Sequence, residues 1–152
     1  MSLNSLRVLL VEPDFPYPRK SKNQANSIHK NFVPVGLLKL GAYYKYQGHK
    51  VRLVRGNQPK RKFRYFKPSL ILVTSIFTYW SEYVWDAIAY YRDLYPEARI
   101  WLGGIYATLH SHRRYFKHKL KLYRVRCHVG LHKQAEKHYP DYSLLNGDIN
   151  HH

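Results

Sequence analysis

The stretch Leu70-Ile71-Leu72-Val73-Thr74-Ser75 decides the fold of this chain. Its nearly continuous run of β-favouring residues predicts a strand that is covered on both faces, as in a parallel sheet. Beyond it, apolar residues recur at spacings of three and four, which places them on one face of a helix. These residues are Trp80, Val84, Ala87, Ile88, Tyr91 and Leu94. A buried strand followed by an amphipathic helix is the repeating unit of an α/β protein.

The same alternation extends in both directions along the chain. The predicted strands are 6–12, 50–55, 70–75, 99–102 and 123–129, and the predicted helices are 34–48, 80–94, about 107–116 and 134–139. The apolar face of the first helix is expected to carry Leu38, Ala42, Tyr43 and Tyr46. This order predicts a doubly wound α/β fold of the flavodoxin-like or Rossmann-like type, with a five-stranded, mainly parallel sheet and helices on both faces. We assign residues 1–145 to this domain and 146–152 to a C-terminal tail that resembles, in part, a cloning remnant.

Composition restricts the class of protein further. The chain has 152 residues, 45% of them apolar, which is enough to form the core of one domain despite a formal charge of +17. Its single cysteine, Cys127, excludes an internal disulfide framework and an all-cysteine metal or iron–sulfur site. No apolar run reaches the length of a membrane span or of the core of a signal peptide. We therefore expect a cytoplasmic protein that does not enter a membrane.

Ligands of doubly wound sheets sit outside the carboxyl ends of the strands. In this sequence those ends fall at Pro13-Asp14, Ser75 to Thr78, Gly103-Gly104 and Gly130. The glycine pair either exposes backbone amides to a ligand or only permits a tight turn from strand to helix. The Ser75 hydroxyl either contacts a ligand or caps the helix that follows. No glycine-rich fingerprint of a nucleotide-binding enzyme is present, and no acid–base pair or nucleophile arrangement is identifiable.

Four further residues invite a metal hypothesis that we do not favour. Cys127, His128, His132 and His138 lie close together in sequence, but a chain with 10 histidines produces such spacings by chance, and no carboxylate cluster accompanies them. We expect Cys127 to have a small apolar packing role.

Two stretches interleave cations with aromatic residues. The first contains Lys60, Arg61, Lys62 and Arg64 among Phe63, Tyr65 and Phe66, and the second spans residues 110–119. Cations pair with phosphates and aromatic rings stack on unpaired bases, so these stretches are compatible with RNA binding. A solvated surface, or a surface that docks an acidic partner, is the interpretation that we favour over RNA binding.

Six segments, taken in order, form a pattern typical of one family. They are Leu9 to Pro13, Val33 to Tyr43, Gln47 to Val51, Pro68 to Ser75, Pro96 to Thr108 and Pro140 to Leu145. Together they resemble the N-terminal cobalamin-binding-type domain of radical S-adenosylmethionine enzymes, over nearly the whole chain. Single pieces such as Leu102-Gly103-Gly104 are unspecific, whereas their order and spacing are more specific.

The resemblance implies a cobalamin-binding-like module, associated with a radical S-adenosylmethionine domain or subunit and not catalytic alone. By resemblance, cobalamin would contact Ser75, Gly103, Gly104 and Gly130, with aromatics such as Phe77, Tyr79 and Tyr106 along the groove. The three clustered cysteines of an iron–sulfur domain are absent from this sequence.

Two departures from the family pattern are visible. Pro16 stands where the motif of cobalamin-dependent mutases and methionine synthase has its axial histidine, and Arg19 stands where it has glycine. Gly130-Leu131-His132-Lys133 replaces a usually acidic stretch. The alternative is a basic protein of the same fold that binds nucleic acid or docks a partner after losing the cofactor site.

Overall fold

The computed structural model describes residues 5–16, 34–75 and 80–145. Five strands are present there: β1 (Arg7–Glu12), β2 (Lys50–Arg55), β3 (Leu70–Ser75), β4 (Arg99–Gly104) and β5 (Val125–Cys127). The α-helices of this part are α1 (Val35–Tyr46), α2 (Ser81–Leu94), α3 (Ile105–His110) and α4 (Arg114–Tyr123). Short 3₁₀ helices occupy Lys60–Phe63 and Ala135–Lys137. The predicted strand–helix alternation is therefore confirmed.

The strands form one sheet in the order β2-β1-β3-β4-β5, and each neighbouring pair is parallel. This is the flavodoxin-like order of a doubly wound sheet. The expectation of a mainly parallel sheet is confirmed. The order reverses between β1 and β3, so the connections after these two strands leave toward opposite faces.

Two separate cores show that helices cover both faces of the sheet. Alternate residues of β3 divide between them: Leu70 and Leu72 belong to one core, Ile71 and Val73 to the other. Helix α1 packs on the first core through Leu37 and Leu38, and helices α2, α3 and α4 pack on the second. Because both faces are covered, a continuous apolar run rather than an alternating pattern marks β3.

The buried face of α1 differs from the prediction. Leu38 is buried as expected, but Tyr46 is 71% exposed, and the helix approaches the sheet through Gly41 instead. A Cβ added at Gly41 would lie 3.1 Å from Leu10 Cδ1 and would overlap Leu144 Cδ1. Terminal methyl groups of two leucines therefore pack directly against the backbone of α1 at Gly41.

The helix predicted at about 107–116 is in fact two helices. Helix α3 ends at His110, and Arg113, with extended backbone at φ −77° and ψ 142°, precedes α4. This break lets α4 insert Phe116 between Trp85 and Tyr106, whose ring centroids lie 5.4 and 5.3 Å from that of Phe116.

Several expectations fall outside the described residues. They concern Arg19, Phe77, Thr78, Tyr79 and the tail 146–152. Within the described ranges, no helix combines the length and apolar character that a membrane crossing requires.

Candidate functional site

A cleft of about 370 Å³ opens beside the carboxyl ends of β3 and β4, on the face of the sheet that α1 covers. Helix α1 forms one wall, and the segment after β5, from His128 to Glu136, forms the other. The floor runs down the sheet from Thr74 and Gly103 to Leu72 and Trp101. The cleft therefore extends from the strand tips onto the sheet face, between the sheet and α1.

An ion pair and two neighbouring contacts hold the outer wall against α1. Lys39 Nζ lies 2.8 Å from Glu136 Oε1, and the ring centroids of Tyr43 and His132 are 4.9 Å apart. Further along, the Asp141 N–H donates to the Leu38 carbonyl at 3.2 Å. These contacts hold the outer wall against α1 without a ligand.

The glycine pair at the end of β4 divides into two different roles. Gly104 has φ +99° and ψ −173°, a region that is essentially restricted to glycine. A Cβ there would overlap the Ser75 carbonyl oxygen and lie 2.8 Å from Ser75 N. A Cβ at Gly103 would make only an ordinary contact, 3.8 Å from the His128 carbonyl oxygen. Both glycines line the cleft, but only Gly104 is required by the backbone.

Ser75 supports this turn and does not itself line the cleft. Its buried hydroxyl donates to the Gly103 carbonyl at 2.6 Å and accepts from the Ala107 N–H at 3.2 Å. Ser75 therefore caps α3, which begins 30 residues later, rather than the helix that directly follows β3. Its one donor and one of its two acceptor positions are thus used within the protein.

Gly130 lies on the cleft wall with φ +80°, and nothing stands within 4 Å of a Cβ added there. Its N–H donates to Thr108 Oγ1 at 2.9 Å, which ties the outer wall to α3. Gly36, in the first turn of α1, also lines the cleft and faces open space. Three of the four residues carried over from the resemblance, Gly103, Gly104 and Gly130, thus meet at one cavity.

Two histidines of the cleft wall were considered in the sequence only as metal ligands. His128 Nε2 is buried and finds no hydrogen-bond partner in the described part of the chain. His132 Nδ1 accepts the Ala135 N–H at 3.1 Å, so the proton of the neutral ring is on Nε2. Burial, and next the neighbouring His128, lower the pKa of His132. A buried nitrogen without a partner favours a ligand that donates to it or accepts from it.

Cys127 stands apart from this pair. Burial raises the pKa of its thiol, and its Sγ lies 3.9 Å from the Ala107 carbonyl oxygen. No grouping of three or more metal-ligating side chains occurs among the described residues.

The basic stretch after β2 has an amphipathic arrangement. Phe63 and Phe66 are buried, at 3% and 7% exposure, and the guanidinium of Arg52 lies over both rings. Tyr65 is 91% exposed, and the Arg64 guanidinium lies 5.7 Å from its ring centroid. Most of the aromatic surface that would stack on bases is therefore in the core.

The four cations named for nucleic-acid binding do not line the cleft. Lys60, Arg61 and Arg64 are exposed and Lys62 is half-buried. RNA binding at this stretch stays a prediction. In the second basic stretch Phe116 is likewise buried, while Tyr115 remains 47% exposed.

No protein-family model, no curated protein and no solved structure matches the chain.

Proposed function

We propose that the chain is a cobalamin-binding-like module whose cleft receives the nucleotide tail of cobalamin. In this proposal it has no catalysis of its own and serves a radical S-adenosylmethionine domain or subunit. The observation that carries the proposal is the cleft of about 370 Å³ between α1 and the sheet, with all three glycines named by resemblance on its lining.

The shape and chemistry of the cleft fit such a tail. Its volume lies in the range of pockets that hold small ligands, so it suits one bicyclic aromatic base with its sugar. A corrin ring is too wide to enter and would lie at the mouth. Leu37, Leu40, Leu72 and Trp101 supply an apolar interior for a flat base.

Each wall offers a group for the tail. Gly36, Gly103 and Gly130 leave the backbone uncovered, which allows a planar group to approach the main chain closely. His128 Nε2, buried without a partner among the described residues, would hydrogen-bond a hydroxyl of the sugar. Ser75 would act indirectly, because its hydroxyl holds the Gly103 carbonyl and the start of α3 in place.

When bound, the cobalt of cobalamin would supply the reactivity, and this chain would supply binding and orientation. Pro16 occupies the position of the axial histidine in the related motif, so no histidine of that motif would coordinate the metal.

Titration of the purified chain with hydroxocobalamin, followed by visible absorption, tests the proposal. We expect saturable micromolar binding and at least about tenfold weaker binding of cobinamide, which has the corrin but no nucleotide tail. Gly36→Leu and Gly103→Leu should abolish binding, because their side chains would enter the space of the tail. Val35→Leu is the matched control, since Val35 is 40% exposed and does not line the cleft.

Three results would count against the proposal. The first is the absence of saturable binding by hydroxocobalamin. The second is equal affinity for cobinamide, which would place the contact outside the cleft. The third is undiminished binding by a folded Gly103→Leu variant, with folding checked by circular dichroism.

A further inference from the structure

A second concavity, of about 240 Å³, lies at the opposite ends of β4 and β5, where these strands begin. Four arginines line it: Arg92 from the last turn of α2, Arg99 at the start of β4, Arg124 after α4 and Arg126 in β5. One carboxylate, Glu97, is also on the lining. None of the ion pairs found among the described residues involves any of these five side chains.

Arginines often gather where helices end, because the last carbonyls of a helix are unpaired and partly negative. Of the four arginines in this pocket, Arg92 alone donates hydrogen bonds to such carbonyl groups. Its guanidinium donates to the carbonyls of Ala98 at 2.7 Å, Tyr123 at 2.8 Å and Arg124 at 2.9 Å, with longer contacts to Tyr95 and Pro96. Arg92 therefore already supplies hydrogen-bond donors to the carbonyl groups at the ends of α2 and α4.

The side chains of the other three arginines play no such part at the helix ends. Arg99, Arg124 and Arg126 are exposed, and no side-chain hydrogen bond of theirs is found within the described ranges. The Arg126 guanidinium lies over the Trp101 ring, 6.0 Å from its centroid, and this contact orients the planar group. Like charges brought together in one concavity repel each other unless an anion lies between them.

The backbone conformation of Arg124 is a second, independent observation that points to a role for its side chain. It is the one non-glycine residue with positive φ in the described part of the chain, at φ 56° and ψ 51°, directly after α4. Glycine is the usual residue at this position of a helix, and another residue costs about 1 kcal/mol in that conformation. The chain therefore has a long cationic side chain at a position where glycine would have a lower conformational free energy.

We infer that this pocket binds a phosphate group, held by the guanidinium groups of Arg99, Arg124 and Arg126. Guanidinium forms paired, charge-assisted hydrogen bonds with phosphate oxygens, which suits a planar donor that is already oriented. Arg92 is a positioning residue, since its donors are spent on the backbone that carries Arg124. The inference does not rest on cobalamin binding, because the three guanidinium groups lie outside the first cleft and the two linings share only Trp101.

Calorimetric titration with inorganic phosphate and with pyrophosphate, at constant ionic strength, tests the pocket. We expect saturable binding at one site per chain. Arg124→Gly should weaken that binding about tenfold while raising the melting temperature, since glycine relieves the backbone. A loss of binding in a more stable variant cannot be attributed to unfolding. Lys50→Gln, which removes an exposed cation outside the pocket, is the control and should bind like the wild type.

The inference is overturned if phosphate and pyrophosphate show no saturable binding, if Arg124→Gly binds them like the wild type, or if Lys50→Gln loses as much affinity. A single-stranded oligouridine identifies the source of the phosphate. Competition between the oligouridine and pyrophosphate at the pocket would support a nucleic-acid backbone. Pyrophosphate binding without such competition would support a free phosphate compound.

Discussion

Replacing Gly104 by alanine should destabilise the protein far more than the same change at Gly103. At Gly104 the backbone has φ +99° and ψ −173°, and an alanine in that region costs about 1–3 kcal/mol. The new Cβ would also overlap the Ser75 carbonyl oxygen and lie 2.9 Å from Ser75 Oγ, displacing a hydroxyl that makes two hydrogen bonds. Each of those bonds contributes about 1 kcal/mol. We therefore expect a loss of about 3–5 kcal/mol in the free energy of unfolding.

Gly103→Ala should change that free energy by no more than about 1 kcal/mol, because its Cβ would meet the His128 carbonyl oxygen at 3.8 Å and its φ is not positive. Urea denaturation followed by circular dichroism measures both variants. A Gly104→Ala protein that cannot be purified folded, beside a normal Gly103→Ala protein, agrees with the reasoning. Equal urea midpoints for the two variants would refute this reasoning. They would show that Gly103 and Gly104 do not differ in their contribution to stability.

Three further predictions concern other parts of the molecule. Arg92→Lys should lower the free energy of unfolding by about 1–3 kcal/mol in urea denaturation, because one ammonium cannot reach the carbonyls that the guanidinium spans; an unchanged midpoint would contradict this. The pKa of His132 is lowered by burial and by His128, so the unfolded chain binds more protons near pH 6.5 and stability should fall as the pH drops from about 7 to about 5.5. His132→Asn, which keeps an acceptor for the Ala135 N–H, should flatten that dependence, and a parallel decline in both proteins would argue against His132. Cys127 should react with iodoacetamide more slowly in the folded than in the urea-unfolded chain at pH 8, since burial raises the pKa of its thiol; equal rates measured by mass spectrometry would contradict the packing role.

The sheet and its topology class could be predicted because the local sequence pattern of each strand indicates a strand. Leu70 to Val73 is apolar at every position, and this pattern has one explanation when amphipathic helices lie on either side. The break between α3 and α4 was missed because it depends on Phe116 meeting Trp85, a contact made across the core. Local periodicity carries no information about such a partner.

The candidate site shows the same division. Its location at the strand ends follows from topology, and Gly103, Gly104 and Gly130 were identified in advance as residues of those ends. The use of the Ser75 hydroxyl could not be foreseen, because its partners at 103 and 107 are brought near only by the pairing of β3 with β4. The burial of His128 and the gathering of four arginines at the opposite edge depend on tertiary structure in the same way.

The interior position of β1, between β2 and β3, has a consequence for how the chain is made. Residues 8–11 are fully buried, yet their partners on either side are residues 51–54 and 70–73. During synthesis the apolar side chains of β1 therefore stay uncovered until residues 50–73 have left the ribosome. During that interval the nascent chain is prone to aggregate through the uncovered side chains of β1, and a chaperone that binds them would protect it.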